Sequence, residues 1–366
     1  MASLLRFAFL AFVSTACATA SAASQGCVSP ISSCAEWVQP GDGAGRVLIY
    51  RNHPLDAKNE SVDHALIVVH GQGRDADNYY RHGIGAAFLA DALERTVVIA
   101  PRFASTNGNC HDKVEAEELH WHCAGPGRWT SGGAAVGHES VTTFDVVDEI
   151  VRRLAKRDRF PNLKDIVIVG HSAGGQYVTR YEMSNRLHEK AGVPITYVVA
   201  NPSSYTYPDS LRPTRSALPL DVAAGAPGYM PGIPAKPPEP FVAFSDAKDC
   251  TTYDNWPYGL QSRVGYSAKL SDEELKRQLA GRPTTYLLGE LDILPIYGFD
   301  GSCPAMAQGP TRLARGLAYA KYVNEKLGAQ HKVTVVPACG HNARCMFGSD
   351  VALPLLFPKE APARSQ

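Results

Sequence analysis

Residues 166–182 read IVIVGHSAGGQYVTRYE. Ile166 to Val169 is a short run of β-branched apolar residues, the composition of a strand covered on both faces. It stops at Gly170. The residues after Ser172 read as a helix running to about Leu187. Between the two lies Gly170-His171-Ser172-Ala173-Gly174, a G-x-S-x-G motif. Strand, sharp turn and helix together form the setting of a nucleophile elbow. So tight a turn admits only small neighbours, and Gly170, Gly174 and Gly175 supply them. The helix that follows aims its first N–H groups at any negative charge that develops beside the turn. Ser172 is therefore the candidate nucleophile, and the backbone N–H of Ala173 a candidate oxyanion donor.

Similar apolar runs lie on both sides. They are Arg46–Arg51 (RVLIYR), Ala65–Val69 (ALIVV), Val97–Ala100, Thr196–Ala200, Thr285–Leu288 and Lys332–Val336. Helical spacing marks Val141–Leu154, with Val146, Val147, Ile150, Val151 and Leu154 on one face. It also marks Arg312–Leu327, which Gly328 ends as a C-cap residue. Alternation of this kind predicts parallel strands joined by crossover helices. With the elbow, the expected class is α/β. The expected architecture is an α/β-hydrolase fold, with a mostly parallel central sheet and helices on both faces.

Two stretches interrupt the alternation. Asn107–Gly137 is rich in Gly, His and Trp. Ser203–Arg282 holds nine prolines between Pro208 and Pro240, too many for a central strand or a long helix there. It falls between two core strands, on the side where the nucleophile emerges. Residues 203–282 are therefore read as a Pro-rich, lid-like insertion or substrate wall. Its aromatics Tyr205, Tyr253, Trp256 and Tyr258 are candidate substrate-binding residues.

The remaining site residues follow from chain order. His70-Gly71-Gln72-Gly73 comes directly after an early strand, where such folds place a second oxyanion donor; the N–H of Gln72 is the candidate. The orienting acid precedes the histidine in this fold. YLLGELDILP at 286–295 offers Glu290 and Asp292, with Asp292 favoured and Asp300 more distant. His341, just after the last strand, is the candidate base. His70 and His171 lie inside the motifs and are read as packing or orienting residues. His120 and His122 flank Trp121, but oxidised cysteines leave no soft ligands beside them, so no metal or cofactor is expected.

Composition sets the surroundings. Lys plus Arg and Asp plus Glu are 36 each, so nothing points to nucleic acid, and a neutral or apolar substrate fits. Arg6 precedes the apolar run Phe7–Val13, and Ala16, Ala18, Ala20, Ala22 and Ala23 follow. Residues 1–23 read as a signal peptide, with lipid attachment at Cys17 as an alternative. Residues 24–366 are then one catalytic domain, periplasmic or extracellular, or held at the outer membrane. Eight further cysteines imply disulfides in an exported chain. Short loops suggest Cys27–Cys34, Cys110–Cys123 and Cys339–Cys345, which leaves Cys250–Cys303.

Four stretches together, HGQGRDADNYY at 70–80, VGHSAGGQYVTRYE at 169–182, YLLGELD at 286–292 and CGHNARC at 339–345, resemble the oxidised polyvinyl alcohol hydrolases, or β-diketone hydrolases. The resemblance spans the chain beyond the signal peptide. It implies an exported bacterial enzyme that cuts the carbon–carbon bond between two carbonyls, giving a carboxylic acid and a methyl ketone. By position it implies Ser172, Asp292 and His341 as the triad. The implied substrate is apolar, ketone- or ester-bearing and polymeric. A carboxylesterase, lipase or polyester depolymerase with the same triad is the alternative.

Overall fold

All seven apolar runs become strands of one sheet, and the five from Ala65–Val69 to Thr285–Leu288 are buried between two layers, where a segment apolar on both faces is covered. The structure, a computed structural model, describes residues 26–41, 43, 45–214, 217 and 240–359. The expected signal peptide 1–23, Cys17 and residues 218–239 of the expected insertion lie outside them. The strands are β1 (Ala35–Val38), β2 (Val47–Arg51), β3 (His64–Val69), β4 (Thr96–Pro101), β5 (Asp165–His171), β6 (Ile195–Ala200), β7 (Thr284–Gly289) and β8 (Lys332–Val336). Their order is β1-β2-β4-β3-β5-β6-β7-β8. β2 runs antiparallel to β1 and β4, and the other neighbours are parallel. Only β1 lacks a clear mark in the sequence: it has four residues, and Val38 alone is buried.

Period-two alternation divides each central strand between two cores. Ile166 and Ile168 enter one; Val167 and Val169 enter the other. The core of Val167 is closed by α1 (Ala76–Leu89) and by short helices near the C-terminus. The core of Ile166 is closed by α2 (Thr143–Leu154), α3 (Ala173–Ser184), α4 (Asp272–Gly281) and α5 (Arg312–Leu327). Each fully buried aliphatic side chain contributes about 1.5–3 kcal/mol. The sheet is therefore a stiff platform, and the loops at its carboxyl edge inherit that stiffness.

Boundaries differ from the sequence reading where side chains cap or turn the chain. α2 starts at Thr143 because Thr142 is its N-cap. The Thr142 hydroxyl accepts from Asp145 N–H (3.3 Å), and the Asp145 carboxylate accepts from Thr142 N–H (2.8 Å). α3 stops at Ser184, short of Leu187. There Asn185 Oδ1 accepts from the N–H groups of Leu187 (3.3 Å) and His188 (3.0 Å). α5 spans the expected residues and ends at Gly328, whose φ is 72°.

The described part of 203–282 packs largely into the first core. Tyr205, Tyr207, Trp256, Leu275 and Leu279 are buried there, and α4 begins with a Ser271/Glu274 capping box. Cys27–Cys34, Cys110–Cys123, Cys250–Cys303 and Cys339–Cys345 are joined as disulfides, which suits an oxidising compartment. No helix among the described residues is long and apolar enough to cross a membrane.

Candidate active site

β5 ends at His171 and α3 begins at Ala173, so Ser172 stands in the turn with φ 60° and ψ −119°. Backbone of this kind costs a non-glycine residue about 1–3 kcal/mol, so its surroundings must impose it. A Cβ on Gly170 would lie 2.2 Å from the Gly174 carbonyl oxygen. One on Gly174 would lie 2.3 Å from that of Val69, and one on Gly175 2.6 Å from that of Ala200. No other residue fits at these three places. Ser172 N–H donates to Ala200 O (2.9 Å), which ties the turn to β6.

Beyond β8 the chain turns through Ala338, at φ 55°, into the loop that Cys339–Cys345 closes. His341 projects from this loop. Its Nε2 is 2.8 Å from Ser172 Oγ, and its Nδ1 is 2.7 Å from Asp292 Oδ2. A carboxylate only accepts, so Nδ1–H donates to Asp292 and Nε2 accepts from the serine hydroxyl. Glu290 is engaged elsewhere: its carboxylate accepts from Ala338 N–H (2.8 Å) and braces the turn that leads to His341. Asp300 accepts from the Tyr258 hydroxyl (2.8 Å).

Several positioning groups carry no mark in the sequence. Arg312 and Asp292 are both buried, with Arg312 Nη1 donating to Asp292 Oδ1 (3.2 Å). The same guanidinium donates to Ser203 Oγ (2.7 Å) and to the carbonyls of Ile296 and Tyr297 (2.9 Å each). Burial pulls the Arg312 pKa down and the Asp292 charge opposes the fall. Asn201 accepts from Gly289 N–H (2.7 Å) and donates to Gly340 O (3.3 Å), joining β6, β7 and the histidine loop. Arg74 clasps Asp112 and donates to Gln72 O (2.6 Å), which fastens the loop after β3.

The two motif histidines pack and orient. His70 Nδ1–H donates to Gly71 O (2.9 Å), and Nε2 accepts from Phe103 N–H (3.0 Å). Burial pushes its pKa down to about 4, so it stays neutral. His171 lies against the Tyr79 hydroxyl (3.1 Å) and beneath the His341 ring, with centroids 4.7 Å apart. Burial first, and then the neighbouring His341, hold its pKa well below the usual imidazole value.

Ser172 opens into a cleft of about 580 Å³ walled by Gly71–Gly73, Tyr79, His82, Tyr297 and Asn342. Gln72 belongs to this wall, and Ala173 is the first residue of α3, where an N–H has no partner within its helix. The Tyr297 ring lies nearly parallel to that of His341, at 13° and 6.3 Å. A second cleft of about 380 Å³ adjoins His341 and is lined by Leu291, Leu294, Ile296 and Tyr297.

The four expected substrate-binding aromatics are elsewhere, and this corrects the sequence reading. Tyr205 is fully buried, stacked on Tyr319 at 4.4 Å. Trp256 is buried, and its Nε1–H donates to Ser131 O (3.2 Å). Tyr253 packs on Phe244 and the Arg212 guanidinium. Tyr258 is held by Asp300. Core burial outweighs any role at the surface for Tyr205 and Trp256. The apolar lining comes from residues 291–297 instead. Among the described residues, no group of three or more His, Cys, Asp or Glu side chains is placed to hold a metal ion.

Comparison with known proteins agrees with this architecture. A comparison with curated proteins finds no match. Among solved structures, a poly(3-hydroxybutyrate) depolymerase from Bordetella parapertussis superposes with a TM-score of 0.56 at 20% identity, over 88% of this chain and 87% of that one. A poly(aspartic acid) hydrolase-1 from Sphingomonas sp. KT-1 superposes with a TM-score of 0.55 at 22% identity, over 85% of this chain and 95% of that one. Both are similar in fold. A family model described as the alpha/beta hydrolase family matches residues 66–353, from β3 to beyond the His341 loop. The chain belongs to the alpha/beta hydrolase family.

Proposed function

We propose that this hydrolase uses Ser172, His341 and Asp292 as a catalytic triad to cleave β-diketone groups in an apolar, polymeric substrate. The observation that carries the reading is the unbroken relay from Ser172 Oγ to His341 Nε2 (2.8 Å) and from His341 Nδ1 to Asp292 (2.7 Å). His341 takes the hydroxyl proton as Ser172 attacks one ketone carbon. The tetrahedral oxyanion rests on the N–H groups of Gln72 and Ala173, each worth about 3 kcal/mol in the transition state. Collapse breaks the bond to the carbon between the two carbonyls. That carbon leaves as an enolate, stabilised by the second ketone, and the His341 imidazolium returns the proton to it. A methyl ketone departs. Water, deprotonated by His341, then splits the acyl-enzyme to a carboxylic acid and free Ser172.

The preference for a ketone over an ester rests on the resemblance of residues 70–80, 169–182, 286–292 and 339–345 to β-diketone hydrolases. It is compatible with the apolar wall at Leu291, Leu294 and Ile296, which suits an aliphatic chain. The second reading is a carboxylesterase, lipase or polyester depolymerase, because the same relay serves an alkoxide leaving group. The name of the first structural neighbour, a polyester depolymerase, is in keeping with it. Export belongs to the same proposal: residues 1–23 as signal peptide or Cys17 as lipid anchor, and a periplasmic or extracellular site of action.

Product analysis separates the readings. Incubation with a symmetric aliphatic β-diketone is expected to give equimolar carboxylic acid and methyl ketone. A fluorophosphonate is expected to label wild type and not Ser172→Ala. Brisk ester turnover with no acid and ketone pair overturns the diketone reading. Labelling that persists in Ser172→Ala overturns the nucleophile.

A further inference from the structure

The geometry points to a second substrate subsite: a groove between α1 and the His341 loop that takes the flanking chain of the polymer beyond its reacting group. This rests on the polymeric substrate proposed above. The groove measures about 970 Å³, larger than the cleft at Ser172. The two share Asn78, His82, Asn342 and Arg344 as lining, so they adjoin.

One wall is a single stripe of α1. Asn78, His82, Gly85 and Leu89 recur at helical spacing and run about 16 Å away from the reacting serine. Gly85 sits within the helix, where glycine is disfavoured against alanine. Packing does not require it, because a Cβ there would meet nothing within 4 Å. Gly83, two residues earlier, is the contrast: its Cβ would crowd Val98 at 2.8 Å. Gly85 thus keeps the floor of the groove open. At the far end Phe88 and Leu89 are 72% and 60% exposed, an unusual degree for such side chains at the end of a helix.

The lining names the occupant. Amides at Asn78 and Asn342, the His82 imidazole and the Arg344 guanidinium offer hydrogen bonds along the near half. Ala86, Phe88, Leu89 and the Cys339–Cys345 disulfide offer apolar contact along the far half. A flexible aliphatic chain that carries hydroxyl, ketone or ester oxygens meets both demands. The shared lining sets such a chain beside the cleft at Ser172.

The test is a chain-length series. Diketones that carry the same reacting group and progressively longer oxygenated flanks are turned over by wild type, Gly85→Phe and Leu89→Ser. In wild type kcat/KM is expected to rise with flank length. In Gly85→Phe, which fills the groove while favouring the helix, the long-to-short ratio of kcat/KM is expected to fall about tenfold. In Leu89→Ser it is expected to fall a few-fold. A ratio unchanged in both folded variants overturns the subsite, as does a wild type indifferent to flank length. If no diketone is cleaved but esters are, the diketone reading fails alone. The same three proteins are then compared on oligoesters of rising length, with the same outcomes deciding.

Discussion

At Ser172 the backbone leaves no freedom. A Cβ added at Gly170, Gly174 or Gly175 would lie within 2.6 Å of a carbonyl oxygen. Asp292 sits in a loop of the opposite character. Leu291, Ile293, Leu294, Ile296 and Tyr297 around it are 44–71% exposed. Its carboxylate is nonetheless fixed, through one buried guanidinium that also holds the carbonyls of Ile296 and Tyr297. The proposed nucleophile is thus placed by main-chain packing, and the proposed acid by a charged clasp beneath an otherwise exposed loop. The first device tolerates no added atom. The second tolerates change on its outer face and none at Arg312.

The sharpest break of this contrast lies in the two carboxylates of one loop. Asp292→Asn keeps the shape but loses the acceptor that selects the His341 tautomer, and kcat is expected to fall about 10⁴-fold. Glu290→Gln, which loses only part of its hold on Ala338 N–H, is expected to stay within about threefold, since an amide oxygen still accepts that bond. Steady-state kinetics on any turned-over substrate decide. A reversal of the two effects would make Glu290 the acid.

Arg312 comes next. Arg312→Met leaves a buried carboxylate without its partner, which costs about 3–5 kcal/mol of stability. Arg312→Lys keeps the charge but not the fork that reaches Asp292, Ser203 and two carbonyls at once, so it recovers only part of the loss. Urea unfolding measures both. Met equal to wild type would mean that the loop is held by something else.

The two regions also differ in how far their sequences can be read. IVIVGHSAGG contains its whole geometry: apolar run, tight turn, small neighbours. β3 to β7 are legible for the same reason, because a doubly buried strand has few spellings, whereas β8 shows through its β-branched run although Val336 alone is buried in it. α1 is harder to see because Gly83 and Gly85 dilute its helical signal. One lets the helix approach Val98 and Val68, and the other faces open space. Arg312 is illegible because an arginine reads as surface unless its partner, 20 positions earlier, is known to be buried with it. Tyr205 and Trp256 mislead in the converse way. A ring in a proline-rich stretch reads as groove lining, and nothing local shows that the stretch folds back into the core.

A single methyl group tests the elbow. Gly174→Ala drives a Cβ to 2.3 Å from Val69 O and 2.6 Å from His70 O, both main-chain atoms that cannot move aside. The expected cost is about 3 kcal/mol or more, with activity lost as the turn shifts. Ile293→Ala, on the outer face of the acid's loop, is expected to cost less than about 1 kcal/mol, because that side chain is 47% exposed. Equal costs at the two positions would erase the distinction between them.

The smallest effect is the most diagnostic of the elbow's surroundings. His70 has an ordinary imidazole value of 6.5 when unfolded and about 4 when folded, because burial disfavours its cation. As pH falls from 6.5 towards 4 the unfolded chain takes up a proton that the folded chain refuses, so stability is lost on acidification. At pH 5.5 the loss is about 1 kcal/mol relative to neutral pH. His171 acts in the same direction. Asp148 opposes both, since burial raises it to about 6 and the folded state gains as it is protonated. Total stability therefore reports a sum, and a difference isolates the histidine. Urea unfolding of wild type and His70→Asn at pH 7.5 and pH 5.5 is expected to show a smaller acid loss in the variant, whatever its stability at neutral pH. The same loss in both proteins would mean that His70 is protonated in the fold. In that case the loop after β3 would be held by a charge instead of by the neutral donor and acceptor pair between Gly71 and Phe103.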